Sequence, residues 1–132
     1  MKIINVVCGI SINDNGIFLA RLNTTKRNAG LWEFPGGKTH ELETHQEALV
    51  REFFEELNID IQVNEYFMKS EIIIDKKQIV LHSYFVDFKT EPKSSIDHDL
   101  LGRFNKAELS NLKLSKADIS FVDQIIKNKL IN

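Results

Sequence analysis

A single cysteine, two prolines and no excess of either charge mark this chain of 132 residues. Cys8 alone closes no intrachain disulfide and builds no thiolate metal cage, so the chain suits a reducing compartment. No apolar run approaches the roughly 20 residues a membrane helix needs, and the start Met1-Lys2-Ile3-Ile4-Asn5 turns polar too early for a signal-peptide core. The expected location is therefore cytoplasmic, without a membrane partner. Lys and Arg total 17 against 19 Asp and Glu, a net charge of -2 with no basic cluster, which speaks against a nucleic acid polymer as partner. The length suits one core, hence one domain over 1–132, as a monomer or homodimer.

Ile4, Val6, Cys8, Ile10 and Ile12 recur at every second position, which predicts a strand with one buried face and makes Cys8 core or pocket wall. Asn13-Asp14-Asn15-Gly16 supplies turn chemistry before a return strand over 17–22, so the opening reads as a hairpin. The polar stretch 23–30 leads into Leu31-Trp32-Glu33-Phe34, stopped by Pro35-Gly36-Gly37. Thr44 followed by Glu47 is a capping-box pattern ahead of Ala48, Leu49, Phe53 and Leu57, and it predicts a helix over 45–57 that ends on a left-handed Asn58. Residues 59–63 read as a strand, 71–74 and 78–88 as a hairpin around Asp75-Lys76-Lys77, and 89–101 as a long polar loop. Near the end, Ser115 and Asp118 read as the cap of a helix with the apolar stripe Ile119, Val122, Ile126 and Leu130.

The chemistry concentrates in the middle. Of 11 glutamates, six (Glu41, Glu43, Glu47, Glu52, Glu55, Glu56) fall within 16 residues. Glu52, Glu55 and Glu56 share one narrow helix face, where like charges repel by about a few tenths of a kcal/mol per pair. A merely solvated face would intersperse lysines, yet the only cation in this helix is Arg51, one turn before Glu55. Carboxylates converging without thiolates are hard ligands, suited to Mg²⁺ or Mn²⁺.

From Gly37 the spacing runs five residues to Glu43 and seven more to Arg51-Glu52-Phe53-Phe54-Glu55-Glu56-Leu57-Asn58-Ile59. This resembles the Nudix box, G-x5-E-x7-R-E-U-x-E-E-x-G-U, over 37–59, with Asn58 in place of the family glycine; Asn tolerates the left-handed region, so the helix can still end there. The preceding Gly30-Leu31-Trp32-Glu33-Phe34-Pro35-Gly36-Gly37-Lys38 is similar to the lead-in of the MutT-like branch, the nucleoside triphosphate pyrophosphohydrolases. The resemblance implies an α/β/α sandwich on a mixed sheet and a Mg²⁺-dependent hydrolase that cleaves a nucleoside triphosphate, oxidised or modified ones included, to a monophosphate and pyrophosphate. Branches acting on ADP-ribose or dinucleoside polyphosphates stay open, although their marker proline or tyrosine is missing between Ile72 and Gln78. A non-catalytic, nucleotide-sensing domain also stays open, although no box carboxylate is lost.

By the same resemblance Glu55 and Glu56 are the principal metal ligands, joined by Glu52 and the Gly36 carbonyl. Gly37 and Glu43 support the site, Glu43 through Arg51, and Glu52 or Asp97 is the general base. The register around Asp97-His98-Asp99 is ambiguous, and His98 is a further candidate ligand. Val6, Cys8, Phe34, Lys38 and Asp118 are candidate substrate contacts, with Arg21, Lys26 and Arg27 for the phosphates; the arginine usual here falls at Leu22, so Arg21 serves only if the strand register slips. Trp32 and Phe34 point to one side of their strand, one for the base and one for the core. Asp118 falls where the oxidised-guanine branch carries an asparagine. As an ionised carboxylate it would only accept, and so favour base edges that present N–H groups.

Overall fold

The computed structural model describes residues 1–23 and 29–132; Lys26 and Arg27 lie outside them. Two four-stranded sheets share the chain. In the first, β1 (Lys2–Ile10) lies between β5 (Gly36–Lys38) and β7 (Lys77–Phe88), and β6 (Ile61–Ile74) forms the far edge. β1 runs parallel to β7 and antiparallel to β5, so this sheet is mixed. In the second, β3 (Gly16–Leu22) pairs antiparallel with β2 (Ile12–Asn13), β4 (Trp32–Glu33) and β8 (His98–Phe104). Helix α1 (His45–Leu57) covers one side of the mixed sheet; the short α2 (Lys106–Leu109) and α3 (Ile119–Lys127) belong to the other.

The layering follows from side-chain alternation. Val7 packs with Ala48, Leu49, Phe53 and Leu57 of α1, whereas its neighbour Cys8 packs with Phe34, Phe121 and Ile125 on the α3 side. The expectation of one buried face on the first strand is therefore corrected: Val7 through Ser11 are buried throughout, because a central strand in an α/β/α sandwich has no solvent side. The opening hairpin is also smaller than expected. β1 ends at Ile10, and only Ile12 and Asn13 fold back on Ile17 and Gly16. The break falls at buried Ser11, whose carbonyl accepts from Phe18 N–H and from the Arg103 guanidinium.

Local capping chemistry shapes α1 as predicted. Thr44 Oγ1 accepts from Glu47 N–H and Glu47 Oε1 accepts from Thr44 N–H, while Asn58 sits at φ 54°, ψ 40° and donates its N–H to Phe54 O. Asn58→Gly should thus be neutral or slightly stabilising, whereas Asn58→Val should lose about 1–2 kcal/mol in urea denaturation; an unchanged midpoint for the valine variant would put the helix end elsewhere.

Three long-range features depart from expectation. β6 is one strand of 14 residues rather than two pieces. Where its register against β7 shifts between Tyr66 and Lys69, buried Ser83 Oγ accepts from Met68 N–H and donates to Met68 O, filling the gap in the ladder. The expected polar loop yields β8 at its end, since strand pairing rests on backbone groups and β8 is too mixed in side chains to show a period of two. Finally, α3 begins only at Ile119 and buries Phe121, Val122 and Ile125, leaving Ile119 and Leu130 exposed. The turn of 3₁₀ helix over Lys116–Asp118 rotates the face away from the predicted stripe, and neither Ser115 nor Asp118 makes a side-chain cap.

Candidate active site

The acidic face of α1 is organised by one cation. Arg51 Nε and Nη2 donate to the two oxygens of Glu43 at 2.7 and 2.9 Å, Nη1 donates to Glu52 Oε1 at 2.8 Å and to Glu55 Oε2 at 3.3 Å, and Nη2 also reaches Lys38 O at 3.0 Å. The Arg51 guanidinium, helped by the His40 N–H, holds the Glu43 carboxyl down at about 2. Pairing with Glu43 in turn raises the Arg51 pKa. Glu43 therefore anchors Arg51, and Arg51 tethers the carboxylates behind it.

Gly37 leaves the space in which Glu52 sits: a Cβ there would stand 2.4 Å from Glu52 Cδ, well inside contact distance. Gly36 serves the sheet instead, because a Cβ on it would lie 1.9 Å from Val7 O, where β5 crosses close to β1. Glu56 points the other way. Its carboxyl is pushed up to about 9, first by burial, then by a hydrogen bond with the Asp97 carboxyl and by the negative charges of Glu52, Asp97 and Glu33. The ambiguous register around Asp97 is thereby resolved in space, since its carboxyl meets Glu56 while Ile96 N–H donates to Glu56 O at 3.2 Å. His98 is not among these carboxylates; its ring is taken up by Ser95 and Glu33.

Among the described residues no three His, Cys, Asp or Glu side chains stand ready around one point. Glu52 and Glu55 turn to Arg51, and Glu56 turns to Asp97. The donor set nonetheless fits a hard divalent cation: the raised pKa of Glu56 reflects burial and the negative charge of Glu52, Asp97 and Glu33 converging on it, and a cation relieves the same repulsion.

Beside the acidic face opens a cavity of about 300 Å³, with Val6, Cys8, Phe34 and Asp118 in its lining together with Glu33 and Gly36. Four of the candidate substrate contacts thus come together. Arg21 and Lys38 do not join them. Arg21 forms a two-point ion pair with Asp99 at 2.8 and 2.9 Å, and Leu22 takes the place on the cavity wall; Lys38 borders a separate groove with Lys2, Asn5 and His40. Trp32 and Phe34 both pack into the α3-side core, but only Phe34 lines the cavity, Trp32 lying edge-on against Phe104. Cys8 is an inert wall, its thiol pushed up by burial and by Asp118.

Asp118 is 3% exposed, and its Oδ1 accepts from Phe34 N–H at 3.3 Å. Trp32 holds the segment before it, donating its N–H to Lys113 O and accepting from Ser115 N–H, each at 2.8 Å. Burial and the charge of Glu33 push the Asp118 carboxyl well up. A carboxyl pushed up in this way favours its neutral form, which donates as well as accepts, whereas the acceptor-only expectation assumes the ionised form. Its folded-state pKa exceeds the unfolded one, so the stability tied to its protonation is present in acid and lost as pH rises above the ordinary carboxylate range. Asp118→Asn keeps the neutral shape and should raise Tm at about pH 7, an advantage that shrinks toward about pH 4. A Tm difference independent of pH would refute the assignment.

Sequence reasoning missed Glu33 as a cavity residue. The alternation Trp32-Glu33-Phe34 turns Glu33 away from the core, and nothing local shows that the cavity lies on that side.

The NUDIX domain matches residues 2–125. A CTP pyrophosphohydrolase of Escherichia coli is 35% identical over 123 residues, 93% of this chain and 91% of that protein. An 8-oxo-dGTP diphosphatase of the same organism is 36% identical over 88 residues, 66% of this chain and 68% of that protein. The solution structure of the E. coli ORF135 protein superimposes with a TM-score of 0.84 at 35% identity, covering 96% and 91% of the two chains. The crystal structure of a MutT protein from Methanosarcina mazei Go1 reaches a TM-score of 0.85 at 22% identity, covering 97% and 96%.

Proposed function

The chain belongs to the Nudix hydrolase family, and from that premise we propose that it hydrolyses a nucleoside triphosphate to the monophosphate and pyrophosphate, with Mg²⁺ held by Glu52, Glu55 and Glu56 and the Gly36 carbonyl. The observation that carries this reading is the junction at Gly36 and Glu33, where a cavity sized for a base meets the acidic face suited to a metal-bound triphosphate. A bound Mg²⁺ supplies charge neutralisation for the phosphates and lowers the pKa of the attacking water. In its absence the carboxylates repel a triphosphate.

The residues supply the rest. Arg51, fixed by Glu43, presents Glu52 and Glu55 on one side, and the segment carrying Asp97 holds Glu56 on the other. Glu52 or Asp97 takes the proton from the water. In the cavity, Glu33 accepts from an amino group while protonated Asp118 donates to a neighbouring ring nitrogen, a complement to the N4 amino group and N3 of cytosine. The name of the E. coli CTP pyrophosphohydrolase supports a cytidine substrate.

The test is Mg²⁺-dependent pyrophosphate release from canonical, oxidised and methylated nucleoside triphosphates, with ADP-ribose alongside. A clear preference for CTP or a modified cytidine triphosphate is expected. Turnover of ADP-ribose alone, or of nothing with and without Mg²⁺ or Mn²⁺, would overturn the reading.

A further inference from the structure

Behind the cavity wall lies a hydrogen-bonded chain of which the proposed function uses only the Glu33 end. His98 Nε2 is 3.0 Å from Glu33 Oε2, and His98 Nδ1 is 2.7 Å from Ser95 Oγ. The imidazole is 1% exposed and Glu33 is 26% exposed. The backbone around His98 is pinned on both sides: His98 is registered against Leu22 of β3, Asn23 N–H donates to Asp97 O at 3.1 Å, and Ile96 N–H donates to Glu56 O at 3.2 Å. A buried ring whose backbone is held this way has little freedom to swing, so its two nitrogens dictate where their partners sit.

We propose that His98 is a positioning residue for specificity: through Ser95 and His98 the fold fixes the Glu33 carboxylate in the cavity wall as an acceptor for an N–H of the substrate's base. The inference rests on the base-cavity reading above. A carboxylate oxygen accepts, so Nε2 carries the hydrogen and donates to Oε2; Nδ1 then accepts from the Ser95 hydroxyl. Among the described residues one Glu33 oxygen is occupied by the imidazole and the other is left for the ligand. Without the imidazole, Glu33 sits half-solvated beside buried Asp118 and is free to turn to water. The base edge then loses its acceptor, while the phosphates and their carboxylates are untouched.

The test compares the best nucleoside triphosphate with ribose 5′-triphosphate, which keeps the phosphates and lacks the base, in the parent, in His98→Leu and in His98→Gln. The leucine variant should lose about tenfold of the parent's preference for the nucleotide, mainly through KM, as expected for one charge-assisted hydrogen bond. The glutamine variant, which restores an N–H toward Glu33, should retain most of it. Preference unchanged in His98→Leu, or both substrates falling by a common factor, would overturn the inference while leaving the base cavity standing. A parent with no preference between the two substrates would overturn the cavity reading and this inference with it. Nitrogen-15 NMR of the parent provides a check that needs no variant to fold: the hydrogen should be found on Nε2, and a hydrogen on Nδ1 with bare Nε2 would contradict the chain.

Discussion

Glu56→Gln is expected to abolish pyrophosphate release by roughly a thousandfold or more, about 4 kcal/mol of transition-state stabilisation, while making the metal-free protein more stable at neutral pH. The two effects have one cause. Burial and the facing charges of Asp97, Glu52 and Glu33 push the Glu56 carboxyl up to about 9, so the folded protein holds a proton there that the unfolded chain would release. Stability tied to that proton is fully present below the ordinary range for glutamate and is lost as pH rises toward about 9. Glutamine has the shape of the protonated acid and carries no such penalty, so in EDTA the variant should melt above the parent at neutral pH and alongside it in acid. Adding Mg²⁺ should raise the parent's Tm more than the variant's, since the variant lacks a ligand charge. Near-parental turnover of folded Glu56→Gln at saturating Mg²⁺ would remove Glu56 from the metal site.

Gly37→Ala should leave the fold standing and cost about a hundredfold in kcat. The added methyl carbon would stand 2.4 Å from Glu52 Cδ and 2.5 Å from its Oε1, and the flexible end of Glu52 is what gives way. As it moves it releases Arg51 Nη1, which is shared with Glu55, so two of the proposed ligands lose their placement from one substitution. Gly36→Ala makes the contrast, because its Cβ would meet Val7 O and Cys8 Cα, backbone atoms that cannot step aside. Gly36→Ala should therefore lower Tm, whereas Gly37→Ala should lower kcat at nearly unchanged Tm. Equal loss of Tm in both would show that Gly37 serves only the backbone.

The parts of this protein legible without coordinates are those decided within about one helical turn. Thr44, Glu47 and Asn58 act on backbone groups three or four residues away, and α1 ends where they place it. Arg51, Glu52, Glu55 and Glu56 are gathered by the helix period itself, and Glu43 reaches them because it stands just ahead of the Thr44 cap, eight residues before Arg51. These same residues carry the resemblance to the Nudix box, so the family and the acidic face could be read together.

What only the tertiary structure decided depends on residues far apart in sequence, whose meeting no local period records. Asp97 reaches Glu56 because β8 pairs with β3 and leaves the preceding segment over the end of α1. Arg21 is paired with Asp99 by the same strand pairing, away from the cavity. Asp118 is a buried acid rather than a helix cap because Trp32 clamps the segment ahead of it and Phe34 N–H captures its carboxyl from 84 residues away. The sequence alone determined the helix, its caps and the carboxylates it presents, since those follow from short-range geometry. Which neighbours neutralise, protonate or bury those side chains was settled by packing, because the energy of a charged group is set by whatever the fold brings within a few ångströms of it.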